Sequence, residues 1–321
     1  MQRIAVGLIG CGHWGEKLAR NFAAAPAFHL AAVCDVDGAR AEEVARRHGA
    51  DRSWDDAERL LGAGVLQAVA LATPASTHAA LVRRALAAGL HVLCEKPLAL
   101  SAADGAELLG LATQAGRALV TDHTELHSGA FRTLSARLAA GAIGTVRGVS
   151  LLHVNVAAGP ADLDVVWDLA PHDFAILDAL GLGEPATCDA ATAGPAGRTV
   201  RLDLRWASGV RADVLLERGA AVRRRSLEVR GTRGTLRTVG FGPGDEVRLH
   251  GGDSDGSPET AFSGDTVEPL RRLVDAFAER VGDGQATAGH AAEARILRSV
   301  ELAVRSLRSA TVKDRAAVFP D

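Results

Sequence analysis

Lys96, Asp168 and His172 are the residues whose types and positions most directly suggest chemistry. Imidazole titrates near neutrality, which suits His172 to taking a proton from a hydroxyl group. Asp168 lies four residues earlier, and on a helix the two share one face, where a carboxylate can orient or polarise the ring. Lys96 follows an apolar run inside Glu95-Lys96-Pro97. Its ammonium group can hydrogen-bond a substrate oxygen and stabilise a developing alkoxide. Such a set fits oxidation of a secondary alcohol, with the hydride chemistry left to a cofactor. The chain has no tyrosine, so no Tyr serves as acid or base. Each residue also has a purely structural reading: Asp168 as a helix N-cap, His172 as a satisfied interface histidine, Lys96 as a solvated charge. His123, His127 and His153 read first as structural, with His123 and Asn155 retained as substrate contacts. No HExxH or paired-Cys spacing supports a metal site built on Asp168, His172, His123 and His153, so no metal is expected.

A cofactor site is legible near the start. Gly10-Cys11-Gly12-His13-Trp14-Gly15 is a G-x-G-x-x-G placed after a strand pattern and before a helical one. The first glycine permits the tight turn, the second lets backbone approach a pyrophosphate, and the third allows close helix–strand packing. The helix that follows offers free N–H groups to the phosphates. Asp35 ends the second strand pattern, where a carboxylate accepts hydrogen bonds from a free ribose diol and repels a 2′-phosphate. NAD is therefore expected over NADP, with Arg40 the residue that would soften that preference.

The elements that must hold these residues follow from periodicity. Apolar runs at 4–9, 30–36, 66–72, 91–93 and 118–120 alternate with helical stretches at 14–25, 37–48, 55–61, 76–88 and 102–115. That is the pattern of βαβ units, a doubly wound parallel sheet of Rossmann type. After a helix at 129–140 and a strand at 146–156, a helix at 168–180 precedes alternating segments at 187–193, 199–206, 211–217, 223–229, 235–239 and 246–250. These predict a C-terminal α+β domain with an open, mostly antiparallel sheet. Residues 251–264 read as a mobile surface loop, and helices at 267–281 and 291–307 close the chain. The expected division is 1–122 for the dinucleotide domain and 123–321 for a substrate and oligomerisation domain, with a C-terminal segment able to pack back on the first. Leu202, Leu204 and Trp206 alternate along one strand, and an apolar face left in water predicts a homodimer or homotetramer. The basic run Arg223-Arg224-Arg225 reads as a solvated face.

Composition narrows the class. The 321 residues are 47% hydrophobic and 23% charged with a net charge of −3, which argues against nucleic-acid binding and disorder. No run of about 18 apolar residues suggests a membrane span. The N-terminus reads as a strand and not a signal peptide, and Cys11, Cys34, Cys94 and Cys188 stand singly, as buried thiols in a reducing cytoplasm would.

The motifs in order resemble the glucose–fructose oxidoreductase/inositol dehydrogenase (Gfo/Idh/MocA) family. They are the glycine fingerprint, Ala72-Thr73-Pro74-Ala75-Ser76-Thr77-His78, Glu95-Lys96-Pro97, Gly141-Ala142-Ile143-Gly144 and Trp167-Asp168-Leu169-Ala170-Pro171-His172-Asp173. The resemblance implies NAD(P)-dependent oxidation or reduction of sugars, sugar nucleotides, cyclitols and related polyols. It implies that Lys96 lies beside nicotinamide and substrate, that Glu95 and Pro97 shape its turn, and that Thr73, Pro74 and His78 line the cofactor groove. Asp168 and His172 become the other catalytic pair. Two departures stand out: Ala170 replaces a glycine, and Asp122-His123-Thr124-Glu125-Leu126-His127 occupies the segment where many relatives carry an aromatic. Two other functions remain open: a non-catalytic ligand sensor of the same fold, and a reductase of a non-sugar carbonyl or imine.

Overall fold

The computed structural model describes residues 3–160, 162–193, 197–251, 259–282 and 286–317, with side chains through residue 310. Its backbone forms two compact units, one of Met1–Asp122 with Leu270–Ala294, the other of His123–Pro269 with Arg295–Asp321.

The first unit holds β1 (Ile4–Ile9), β2 (Phe28–Cys34), β3 (Arg52–Trp54), β4 (Ala68–Leu71), β5 (His91–Cys94) and β6 (Leu119–Thr121). Every pairing is parallel and the order is β3-β2-β1-β4-β5-β6. The helices between them are α1 (His13–Ala24), α2 (Gly38–His48), α3 (Ala57–Leu61), α4 (Ala75–Ala87) and α5 (Ala102–Ala115). Strands covered on both faces read as unbroken apolar runs, which is why most were visible in the sequence. The exception is β3, an exposed or half-buried edge strand with no such run, which the periodicity passes over. Helix ends follow local chemistry. The Asp37 carboxylate accepts from the Arg40 N–H at the start of α2, and Ser101 accepts from the Asp104 N–H at the start of α5. Phe28 packs edge-on against Phe22 at 4.9 Å and stacks on Phe277 at 5.9 Å. That stack draws a late helix, Pro269–Gly282, onto this unit's core.

The second unit is built on an eight-stranded sheet. In chain order its strands are β7 (Val146–Asn155), β8 (Thr187–Thr192), β9 (Thr199–Arg205), β10 (Arg211–Arg218), β11 (Arg224–Gly231), β12 (Gly234–Val239), β13 (Glu246–Gly251) and β14 (Glu259–Ser263). The sheet order is β14-β13-β12-β11-β7-β10-β9-β8, antiparallel throughout except for the central β7–β10 pair. Its helices are α6 (Gly129–Ala139) and α7 (Val165–Ala179), and the chain closes with α8 (Pro269–Gly282) and α9 (His290–Ala317). β14 corrects the loop expected at 251–264, because Glu259–Ser263 pairs with β13; residues 252–258 lie outside the described residues.

Alternation sets the faces of this sheet. Ala212, Val214 and Leu216 point into the core, while Arg211, Asp213 and Leu215 point out. The same rule corrects the argument for self-association. Leu202, Leu204 and Trp206 are buried within their own unit, where α7 packs on β9 and β10. The opposite face carries Arg201, Asp203 and Arg205, and Arg201 donates to Asp213 at 2.8 Å. α7 starts at Val165, with Asp164 as its N-cap accepting from the Trp167 N–H at 2.8 Å. Asp168 is thus a first-turn residue and not the cap. Ala170 is accommodated because its backbone is helical and needs no positive φ.

Candidate active site

Gly10 leaves β1 with φ of 95°, a conformation glycine adopts without strain. A Cβ there would collide with the Ala72 carbonyl, and one at Gly15 would collide with the Gly10 carbonyl. At Gly12 a Cβ would meet nothing within 4 Å. Two glycines are therefore required by packing, and the middle one borders open space at the N-terminus of α1. No side chain caps that terminus, so its N–H groups, His13 and Trp14 included, suit a phosphate. Asp35 is buried just past β2. Its Oδ2 accepts from the Cys11 N–H at 2.7 Å and its Oδ1 from the Asp37 N–H at 3.0 Å, which fixes the carboxylate beside the glycine loop. Arg40 Nη1 lies 3.7 Å from Oδ1. Burial, then the Asp35 charge, pushes the Cys11 thiol up to about 12, so it stays uncharged there. These residues fit a dinucleotide.

The turn after β5 carries Glu95 and half-buried Lys96, whose bond to Pro97 is cis. Thr73 and Pro74 occupy the turn after β4, where Thr77 Oγ1 donates to the Pro74 carbonyl at 2.7 Å. His78 is only 1% exposed. Its ring nitrogens lie 2.8 Å from the Pro97 carbonyl and 2.9 Å from the Thr73 carbonyl. It ties these two turns together from beneath, a position different from the groove lining that the resemblance implies.

In the second unit, a charged cluster forms at one end of the sheet's inner face. The 3₁₀ turn Thr124–His127 and α7 face each other across the Glu125–His172 pair, with Glu125 Oε2 at 2.6 Å from His172 Nδ1. Behind it Arg225 donates to Asp173, and Asp173 Oδ2 lies 3.0 Å from His153 Nδ1. Arg225 Nη2 is 3.9 Å from Glu125 Oε1. The His172 ring lies 6.0 Å from that of His153 and 6.4 Å from that of His123. Burial acts to raise Glu125, but His172, Arg225 and His153 outweigh it and hold the carboxyl well below its ordinary range. Asp173 follows the same logic: burial opposes, and Arg225 and His153 hold it low.

The carboxylate that lies 2.6 Å from His172 Nδ1 is that of Glu125. Asp168 Oδ2 lies 3.9 Å from Arg218 Nη1, under the loop that passes through Gly159. Arg218 is paired in register with Asn155 at the ends of β10 and β7, and Arg225 with His153. The structure thus brings His123, His153, Asn155, Asp168 and His172 to one region of the unit. It adds Glu125, Asp173, Arg218 and Arg225, which sequence reasoning missed. Arg225 corrects the reading of 223–225 as a solvated run: it is 7% exposed, in phase with inward-facing Leu227 and Val229. That phase was the available signal, and Arg218 shares it with Leu216 and Val214. Glu125 sits on a 3₁₀ turn and gave none. Among the described residues no group of His, Cys, Asp and Glu is arranged to hold a metal ion, and no helix is long and apolar enough to cross a membrane. All four cysteines are free and buried.

Comparison with known proteins bears on these geometries. Residues 4–123 match the family model described as an oxidoreductase family with an NAD-binding Rossmann fold, and residues 131–237 match the GFO/IDH/MocA C-terminal domain. An inositol 2-dehydrogenase of Acidothermus cellulolyticus is 36% identical over 176 residues, 53% of this chain and 51% of that protein. A myo-inositol dehydrogenase of Streptomyces leeuwenhoekii is 30% identical over 247 residues, 67% of this chain and 75% of that protein. The solved UDP-N-acetylglucosamine 3-dehydrogenase of Acidithiobacillus ferrooxidans superposes with a TM-score of 0.84 at 23% identity, covering 96% of this chain and 99% of that one. Across five curated relatives the matched stretch spans 34% to 62% of the relative's length. With both halves matched in order, and one 30%-identical relative covered over 75% of its length, the chain belongs to the GFO/IDH/MocA oxidoreductase family.

Proposed function

We propose that this chain is an NAD-dependent oxidoreductase that interconverts a secondary alcohol and a ketone on a sugar, sugar nucleotide or cyclitol. The observation that carries the reading is the half-buried Glu125–His172 pair, in a chain whose other unit presents a dinucleotide-binding glycine turn. The turn from Gly10 to Gly15 and the first N–H groups of α1, with His13 and Trp14, hold the pyrophosphate. Asp35 accepts from the ribose diol, which favours NAD over NADP, and Thr73, Pro74 and Glu95 shape the groove. When bound, the nicotinamide accepts or returns the hydride.

The protein's own residues manage the oxygen and its proton. Glu125 Oε2, 2.6 Å from His172 Nδ1, favours a proton on that nitrogen, which in the neutral ring leaves the lone pair on Nε2 to take the hydroxyl proton. The carboxylate then faces the imidazolium that forms. Lys96, on the turn after β5, supplies an ammonium group that can hydrogen-bond a substrate oxygen as negative charge develops. Asp168, Arg218, Asn155 and His123 supply the polar contacts that neighbouring hydroxyls need. Two coarser parts of the proposal are a cytoplasmic location and a homodimer or homotetramer meeting on the outer face of the second unit's sheet. There half-buried Leu152 and Leu215, paired in register, form an apolar centre ringed by charges.

A panel of sugars, cyclitols and sugar nucleotides with NAD or NADP, followed at the nicotinamide absorbance, tests the function. The expected result is turnover of one class with NAD that His172→Ala lowers by about 10² to 10⁴. Turnover unaffected by that substitution would remove the proposed base.

A further inference from the structure

We infer that Glu95 and Asp122 share a single proton, and that this proton clips the glycine loop, through Trp14, to the turn carrying Lys96. The topology puts the two carboxyls side by side. β5 and β6 are neighbouring parallel strands with Cys94 opposite Thr121, so the next residues, Glu95 and Asp122, leave the sheet together. The Asp122 N–H donates to the Cys94 carbonyl at 2.8 Å, and the Glu95 N–H to the Leu71 carbonyl at 2.9 Å, which fixes both backbones. Asp122 is 1% exposed, and Glu95 Oε1 is closed off from solvent.

The remaining bonds define what the pair joins. Trp14 Nε1, on the first turn of α1, donates to Asp122 Oδ2 at 2.9 Å. The Lys96 N–H donates to Glu95 Oε2 at 3.1 Å. Glu95 Oε1 is enclosed and has no donor of its own, and the Asp122 carboxyl lies within interaction range of it. Two carboxylates are acceptors only, so a hydrogen bond between them requires one to carry a proton. Burial first, and then the Asp122 charge and its hydrogen bond, push Glu95 well above its ordinary 4.5, against the opposing pull of Lys96. The charged and titratable groups around the pair are Lys96 on the same turn and Lys17, 4.6 Å from the Trp14 ring centre. Cys94 on β5, Glu293 on α9 and His123, the next residue in the chain after Asp122, are further titratable groups, with His78 on α4 bonded beneath Pro97. Removing the proton sets two buried negative charges against each other. Trp14 and the Lys96 turn then lose their common anchor. Neither carboxyl touches substrate in this scheme; both are positioning residues.

The shared proton rests on the placement of the two carboxyls at neighbouring strand ends, whereas its effect on NAD affinity rests on the dinucleotide reading above. Two measurements separate them. Infrared difference spectra of the ligand-free protein at neutral pH, parent minus Glu95→Gln and parent minus Asp122→Asn, should show a protonated-carboxyl C=O band present only in the parent. Calorimetric NAD affinity should fall about tenfold for the parent between neutral and alkaline pH, the scale of one lost charge-assisted hydrogen bond. Relative to its own neutral value, Glu95→Gln should stay flat, because its amide donates to Asp122 with no proton to lose. Absence of the band in the parent, or an equally steep alkaline decline in Glu95→Gln, overturns the proposal. If the parent binds no NAD at any pH, the dinucleotide reading fails and the band alone decides on the proton.

Discussion

The two units hold their candidate functional groups by different means. In the first, the glycine loop and Asp35 are fixed by backbone: carbonyls that forbid a Cβ at Gly10 and Gly15, and N–H groups of Cys11 and Asp37 on the Asp35 carboxylate. In the second, side chains hold His172, through Glu125 to Arg225, Asp173 and His153. Backbone geometry around a glycine turn tolerates many neighbouring sequences. A buried chain of charges tolerates the loss of none of its members, because each loss strands a partner in a poorly solvated place.

The sharpest way to break this comparison is in the chemistry. His172→Ala and Lys96→Ala should each lower kcat by about 10² to 10⁴ while calorimetric NAD affinity stays nearly constant. An equal loss of NAD affinity would show that the two jobs are not divided as proposed. Next in size is Asp173→Ala, which leaves buried Arg225 without its carboxylate and should cost about 3–5 kcal/mol in urea unfolding. A loss no larger than that of an average surface substitution would mean that the cluster is not an energetic unit.

Glu125→Gln tests the same cluster more gently. It keeps an oxygen near Nδ1 but removes the charge, so kcat should fall about tenfold and the acid limb of the pH–rate profile should move to lower pH. Stability gives an independent reading. Because the folded protein holds Glu125 below its ordinary 4.5, its contribution is fully present above that value and is lost as pH falls through the depressed folded one. The parent's advantage over Glu125→Gln in urea should therefore vanish in acid, and an advantage that grew in acid would contradict the assignment.

In the first unit, Asp35→Ala should weaken NAD binding about tenfold, the scale of hydrogen bonds to a charged group, and should narrow the preference over NADP. The smallest effect is expected on the outer face of the second unit's sheet. Arg201→Ala removes an ion pair to Asp213 between exposed side chains and should leave the unfolding midpoint within experimental error. A measurable loss would place this pair inside the proposed contact between copies and not outside its rim.

Much of the first unit was determined by sequence, because its signals are local. Apolar runs mark strands covered on both faces, and a glycine fingerprint followed by an acid at the end of the next strand needs no distant residue to be recognised. Gly10, Gly15 and Asp35 sit where that pattern puts them, while β3 escaped because a short edge strand needs no apolar run. For the second unit, sequence located every strand but β14, and alternation along β10 and β11 carries the inward phase of Val214, Leu216, Leu227 and Val229. Only the tertiary structure decided what Arg218 and Arg225 do in that phase, because the partners that make their burial tolerable, Asp168 and Asp173, lie on another element. The same holds for His172. Helical spacing offered Asp168 as its carboxylate, and the fold supplied Glu125 from 47 positions earlier in the chain. A 3.6-residue period can say which side chains share a helix face; which residue of another segment meets that face is set by packing.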